Sequence, residues 1–177
     1  MINNQDLIIK AWFFASHAHK EQKYPGQKLP YITHIGNVVL ELMGAADSLE
    51  NLDLAICCAI LHDTIEDTKV TYQDIEKEFG KTVADGVAAL SKDVSIGSKE
   101  QQMQDSLNRI KKQPKEVWSV KMADRIANLG EPPHYWSRDK KESYLKESKV
   151  ILANLQEANS KLANRLSKKI ENYSNYF

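Results

Sequence analysis

The chain has 177 residues, 42% of them hydrophobic, and its 24 Lys and Arg balance 24 Asp and Glu, leaving no formal net charge at pH 7. That balance excludes a nucleic-acid coat or an acidic tail, though not a local basic pocket, and the length suits one domain with its own core. The only cysteines, Cys57 and Cys58, are neighbours that cannot staple to one another, which points to a reducing compartment. The opening "MINNQDLIIKAW" has neither the basic start nor the apolar stretch of a signal peptide, and no run approaches the roughly 20 apolar residues of a membrane span. A cytoplasmic protein with no membrane partner is expected.

In chain order, the periodicity is helical nearly throughout. Leu7, Ile8, Ala11, Trp12, Ala15 and Ala18 share one face and predict a helix over about 5–19. "YPGQKLP", 24–30, is a loop. Ile35, Val38, Val39, Leu42 and Met43 predict a second helix stopping near Gly44, and "DLAICCAILHDTI" a third. "TYQDIEKEFG" opens with Thr71 and Asp74 as a start signal and closes on Gly80. Val83, Val87 and Leu90 mark another helix, 91–100 a polar loop, and Met103, Leu107 and Ile110 a helix broken by Pro114. "KEVWSVKMADRIANLG" follows, and the remainder is one long helix or two shorter ones. Trp12, Phe14, Trp118 and Trp136 are expected in the core. No alternating strand pattern or internal repeat appears, so the fold class is all-α, a single-domain helical bundle.

One stretch carries chemistry. "LHDTIEDT", 61–68, sets one histidine and three carboxylates beside the apolar "LAICCAI" with no Lys or Arg among them. Like charges at such a boundary repel and resist desolvation. On a continuous helix His62 would stack with Glu66 and Asp63 with Asp67. A divalent cation reverses the sign of that argument, because it turns clustered acids into ligands of a positive centre. Further ligands must then come from other helices. His34, after "PYIT", and Asp124, among Met122, Ala123 and Ile126, are candidates. An anionic substrate beside such acids needs counter-charge, for which Lys23, Lys92 and Arg109 are available.

The ordered set "PYITH … LHDTIEDT … FGKTVADGV … KMADRIANL" resembles the HD-type metal hydrolases, and within them the (p)ppGpp hydrolase domain of the RelA/SpoT-homologue enzymes, especially the stand-alone small alarmone hydrolases. The resemblance covers about residues 10–155 and leaves 156–177 as a C-terminal helical segment of the same domain. It implies an HD-type bundle, a divalent metal that is usually manganese, and removal of the 3′-pyrophosphate from a guanosine alarmone. Carried over by motif, His34, His62, Asp63 and Asp124 are metal ligands, Glu66 and Asp67 act on the attacking water, and Asn128 lies by the nucleoside. Where the family usually has an Arg-Lys pair for base and phosphate, this chain has Lys23–Tyr24. Lys is a point charge without the planar fork of Arg, while Tyr24 offers a stacking face. The family's proline after the first histidine is also absent, since Ile35 follows His34.

Blander readings stand beside these. His62–Asp63 alone could be a helix-end histidine paired with a surface acid, Glu66–Asp67 a solvated helix end, and Asn128 a helix cap before Gly130. His17 and His19 read as structural or surface residues, and His134 as loop. Two rival functions follow: an HD phosphohydrolase of another nucleotide (an adenine alarmone, NADPH or a deoxynucleotide), or a non-catalytic nucleotide-binding regulatory HD domain. The length leaves no room for an added synthetase module, and oligomeric state is not readable.

Overall fold

The computed structural model describes residues 4–177. It contains α1 (Asn4–Ala18), α2 (Ile32–Met43), α3 (Leu52–Leu61), the single turn α4 (Thr64–Asp67), α5 (Tyr72–Phe79), α6 (Lys81–Leu90), α7 (Lys99–Ile110), α8 (Lys115–Asn128), α9 (Arg138–Leu155) and α10 (Ser160–Tyr173), with short 3-10 turns at 46–48, 156–158 and 174–176. The extended backbone among the described residues amounts to one isolated bridge, Lys23 with Pro30. None of the described helices is long and apolar enough to cross a membrane.

The starts of α3, α5, α7, α9 and α10 are written in side chains that accept otherwise orphaned N–H groups. Thr71 and Asp74 form the reciprocal box at α5, and Ser98 with Gln101 forms a second one at α7. Asn51 caps α3 and Ser137 caps α9. Asn159 splits the C-terminal segment in two: its Oδ1 caps α10 at Leu162 N, while its Nδ2 donates to the carbonyl and hydroxyl of Ser48.

Helices α3 and α8 form the centre. Every residue of α3 from Leu54 to Leu61 is buried, which is why its sequence shows no polar face. Helix α8 packs against α2, α3, α6, α9 and α10, and the pair α5–α6 closes one side. Between packed helices a close approach falls at Gly86 in α6, where a Cβ would stand 2.8 Å from Cys58 Sγ and 3.0 Å from Val117 Cγ2. The two cysteines are free and buried, and burial lifts the Cys57 thiol to about 11.

Two expectations need correction. The third helix does not run through "HDTI": α3 stops at Leu61 and α4 starts at Thr64. Trp12 is not core, because it lies 37% exposed on α1, next to the still more open Phe13. Phe14, Trp118 and Trp136 are half-buried.

Gly86→Val should lower unfolding free energy by about 2–3 kcal/mol, since overpacking at this contact has no room to relax. A urea melt of the purified variant measures it, and an unchanged midpoint would contradict the packing described.

Candidate metal centre

The break after Leu61 is made by side chains. At the end of α3 the carbonyls lack intrahelical donors. Thr64 Oγ1 donates to Leu61 O at 2.6 Å, and His62 Nδ1 donates to Ala59 O at 2.7 Å. These bonds replace the next helical turn and leave Asp63 at φ −98°, ψ −2°. His62 and Asp63 therefore do not diverge as they would on a helix. Their Nε2 and Oδ2 atoms are 2.9 Å apart.

His34 enters from the first turn of α2. Its Nε2 lies 3.6 Å from Asp63 Oδ2 and 3.4 Å from Asp124 Oδ1. Asp124 arrives from α8, and its Oδ1 is 3.8 Å from His62 Nε2. One ligand atom from each of His34, His62 and Asp124 lies within 4.8 Å of the others. Three helix ends and a turn thus deliver two imidazoles and two carboxylates to one point.

The hydrogen bonds around this point test whether a cation fits. A carbonyl can only accept, so His62 Nδ1 carries a proton, and the neutral ring presents a bare lone pair at Nε2. That nitrogen is buried without a hydrogen-bond partner and faces two carboxylates. Acceptor against acceptors in a buried site is costly unless a proton or a metal stands between them. The outer partners match such a role. Tyr31 Oη donates to Asp63 Oδ2 at 2.6 Å, and Asn128 Nδ2 donates to Asp124 Oδ1 at 2.6 Å, so each acid is oriented by a neighbour. The Asn128 bond belongs to this orientation rather than to a helix cap, and the residue after it, Leu129, terminates α8.

The other expected residues fall on two walls. Glu66 Oε2 accepts from the backbone N–H of Lys92 at 2.8 Å. Burial raises the Glu66 carboxyl above its ordinary range, against the pull of that N–H and of Lys121. Asp67 Oδ2 accepts from Gln22 Nε2 at 2.9 Å, which ties α4 to the loop carrying Lys23 and Tyr24. In that loop the Tyr24 ring sits 6.1 Å from the His34 ring, and Lys23 is exposed. Lys92, Lys140, Tyr144 and Glu147 line a cavity of about 230 Å³ with Glu66 at its edge. Arg109 is not available to a ligand: its guanidinium is committed to the carbonyls of Ala88 and Ser91 and to Asp105. His19 is buried, with Nδ1 2.6 Å from Gln22 Oε1, whereas His17 and His134 are exposed.

Residue patterns alone missed Tyr31, Gln22, Lys121, Lys140 and Tyr144. Tyr31 stood inside the quoted "PYITH", and its place directly before a histidine-bearing helix was the available signal. Lys140 and Tyr144 lie in α9, a helix whose sequence carries no motif and whose approach to Glu66 is purely tertiary.

The electrostatics follow from the same geometry. Burial pushes the His62 imidazolium down, but the adjacent negative charges of Asp63 and Asp124 outweigh it, holding His62 at about 9. Burial pushes Asp63 up, yet His62 brings it to about 2. Asp124 is likewise held well below the usual carboxylate range: Lys121 and the two histidines overcome burial. In the metal-free protein protonated His62 therefore contributes stability fully present below about 6.5 and lost as pH rises through about 9. A metal competes with that proton. Loading at pH 7 should release a proton, and the apparent affinity should climb with pH and level off near 9. Calorimetric titration with manganese in buffers of different ionisation enthalpy reads the proton directly, and a pH-independent affinity without proton release would contradict this arrangement.

Comparison with known proteins agrees with this geometry. Residues 11–167 match the HD domain family. The guanosine-3′,5′-bis(diphosphate) 3′-pyrophosphohydrolase MESH1 of Xenopus tropicalis is 29% identical over 94% of this chain and 94% of its own. The guanosine-3′,5′-bis(diphosphate) 3′-pyrophosphohydrolase of Aquifex aeolicus is 33% identical over 84% of this chain, which corresponds to 21% of that longer protein. Among solved structures, a metazoan orthologue of SpoT described as hydrolysing ppGpp superposes with a TM-score of 0.83 at 25% identity, covering 97% of both chains. The ordered histidines and acids, the helical bundle that gathers them and the match across most of the sequence lead to one statement: this chain belongs to the HD domain family.

Proposed function

We propose that the protein is a metal-dependent (p)ppGpp 3′-pyrophosphohydrolase, with His34, His62, Asp63 and Asp124 holding a manganese ion. The observation that carries the reading is the buried, unpartnered Nε2 of His62 facing two carboxylates, four residues before Glu66 in the sequence. The relatives named as guanosine-bis(diphosphate) 3′-pyrophosphohydrolases support the substrate, and their coverage of nearly the whole chain supports the single-domain assignment. A bound divalent cation supplies Lewis-acid polarisation of a phosphoryl oxygen and makes an adjacent water more acidic. Nitrogen and carboxylate ligands suit manganese, and other divalent ions compete for such a set.

The chain's own residues do the remaining work. Glu66 Oε2 accepts from the Lys92 N–H, which fixes the carboxylate and leaves Oε1 for the water. Its raised proton affinity suits a group that takes a proton from the attacking water. Asp67, anchored by Gln22, assists from the next position and keeps the Lys23–Tyr24 loop against the site. Water oxygen bonds to the 3′ phosphorus, the phosphorus–O3′ bond breaks, and O3′ takes up a proton, giving GDP and pyrophosphate from ppGpp. Lys92 and Lys140 at the neighbouring cavity provide counter-charge for the phosphate tail, and the resemblance assigns Asn128, together with Tyr24 beside His34, to the nucleoside.

One observation favours a second substrate. Lys23 is an exposed point charge where a guanidinium fork would select guanine, so another purine nucleotide with a terminal phosphate remains a competitor. A nucleotide panel scored separately for phosphate and pyrophosphate distinguishes the two.

With manganese and ppGpp the purified protein should release GDP and pyrophosphate in equal amounts; no turnover with any of several divalent metals would refute the assignment. His62→Ala should lose both bound metal and activity. Glu66→Gln should keep the metal by elemental analysis while kcat falls about 10²-fold or more, and a fully active Glu66→Gln protein would remove this residue from the mechanism.

A further inference from the structure

Lys121 is the buried charge that the chemistry above leaves unused. It is 7% exposed in the middle of α8, and its Nζ lies 3.3 Å from Asp124 Oδ2, one turn along the same helix. An ammonium has three N–H donors, and this contact is the single hydrogen bond it makes among the described residues. Its charge also acts on Glu66 and Lys92 at the neighbouring cavity. A fixed cation here opposes the binding of a metal, so its presence needs a reason.

The two oxygens of Asp124 supply one. Oδ1 accepts from Asn128 at 2.6 Å and faces His34 and His62. Oδ2 accepts from Lys121 Nζ at 3.3 Å. A carboxylate left free beside a dication can swing to chelate through both oxygens, which tightens binding and consumes a coordination position. We propose that Lys121 is a positioning residue that clamps Oδ2 of Asp124, restricts this ligand to one oxygen, and so keeps a position at the ion open for water and substrate. The inference rests on the metal reading of the centre but not on the identity of the nucleotide.

The test needs no substrate. Manganese affinity is measured by electron paramagnetic resonance of the free ion, and the number of exchanging waters at bound manganese by water-proton relaxation. Lys121→Met removes both clamp and charge. It should bind manganese about fivefold to tenfold more tightly, because a repelling charge is gone, and relaxation should drop by one water's share. Lys121→Gln keeps an N–H donor for Oδ2 without the charge. It should bind manganese more tightly than wild type yet retain wild-type relaxation. In the hydrolysis assay Lys121→Met should lose about tenfold or more in kcat, with Lys121→Arg recovering most of it.

A residue that merely supports the fold would give the opposite sign, namely weaker manganese binding in Lys121→Met. That result, or wild-type relaxation in Lys121→Met, overturns the clamp. A wild-type protein that binds no manganese overturns the metal reading itself, and one that binds manganese but leaves ppGpp intact overturns only the substrate, since affinity and relaxation are still measurable.

Discussion

Two imidazoles and two carboxylates are pressed together at the junction of α2, α3 and α8, and they stay together only if positive charge sits among them. The constraint is set by one hydrogen bond. Because Ala59 O accepts from Nδ1 of His62, the other ring nitrogen is left with either an acquired proton or a naked lone pair aimed at acids. Without a metal the proton is retained to about pH 9. With one, the ion takes its place. The remaining features of the centre serve this exchange: Tyr31 and Asn128 orient the acids, and Thr64 ends α3 so that His62 and Asp63 point the same way.

The scaffold earns its rigidity by burying what carries the site. Helix α3 has no solvent face, and α8 is buried from Glu116 to Ile126 apart from Trp118, so neither can shift without opening the core. A buried charge such as Arg125 belongs to this logic. Its guanidinium stacks 3.9 Å from the Tyr144 ring and pairs with Glu147, tying the helix that bears Asp124 to the one that lines the neighbouring cavity. Ligand geometry and cavity shape are thereby coupled through α8.

Much of this could be read from residue order, for reasons that differ by element. Helices with one apolar face announce themselves by spacing, and α2 and α7 do so because each keeps a solvent side. The start of α5 was visible because Thr71 has Asp74 three places on, that of α9 was silent because Ser137 has no such partner, and the Ser98–Gln101 box of α7 was hidden in a stretch polar enough to read as loop. The break at His62–Asp63 was invisible because every residue there tolerates a helix; it is caused by side chains satisfying carbonyls, which periodicity does not report. Likewise the mutual approach of His34, His62 and Asp124 could be suspected from the cost of burying acids, whereas the roles of Gln22, Lys121 and Tyr144 depend on contacts between distant segments. Arg109 looked like a free cation and is instead the group that holds the end of α6 to α7.

Gly26 adopts φ +76°, and a Cβ there would stand 3.1 Å from Pro133. The segment bearing Lys23 and Tyr24 is thus wedged, backbone against ring, onto the segment that follows α8. Neither strip can be redrawn alone. If the Lys23–Tyr24 loop meets the nucleoside as proposed, reshaping it for a different base also unseats it from Pro133, so the two strips are expected to change together.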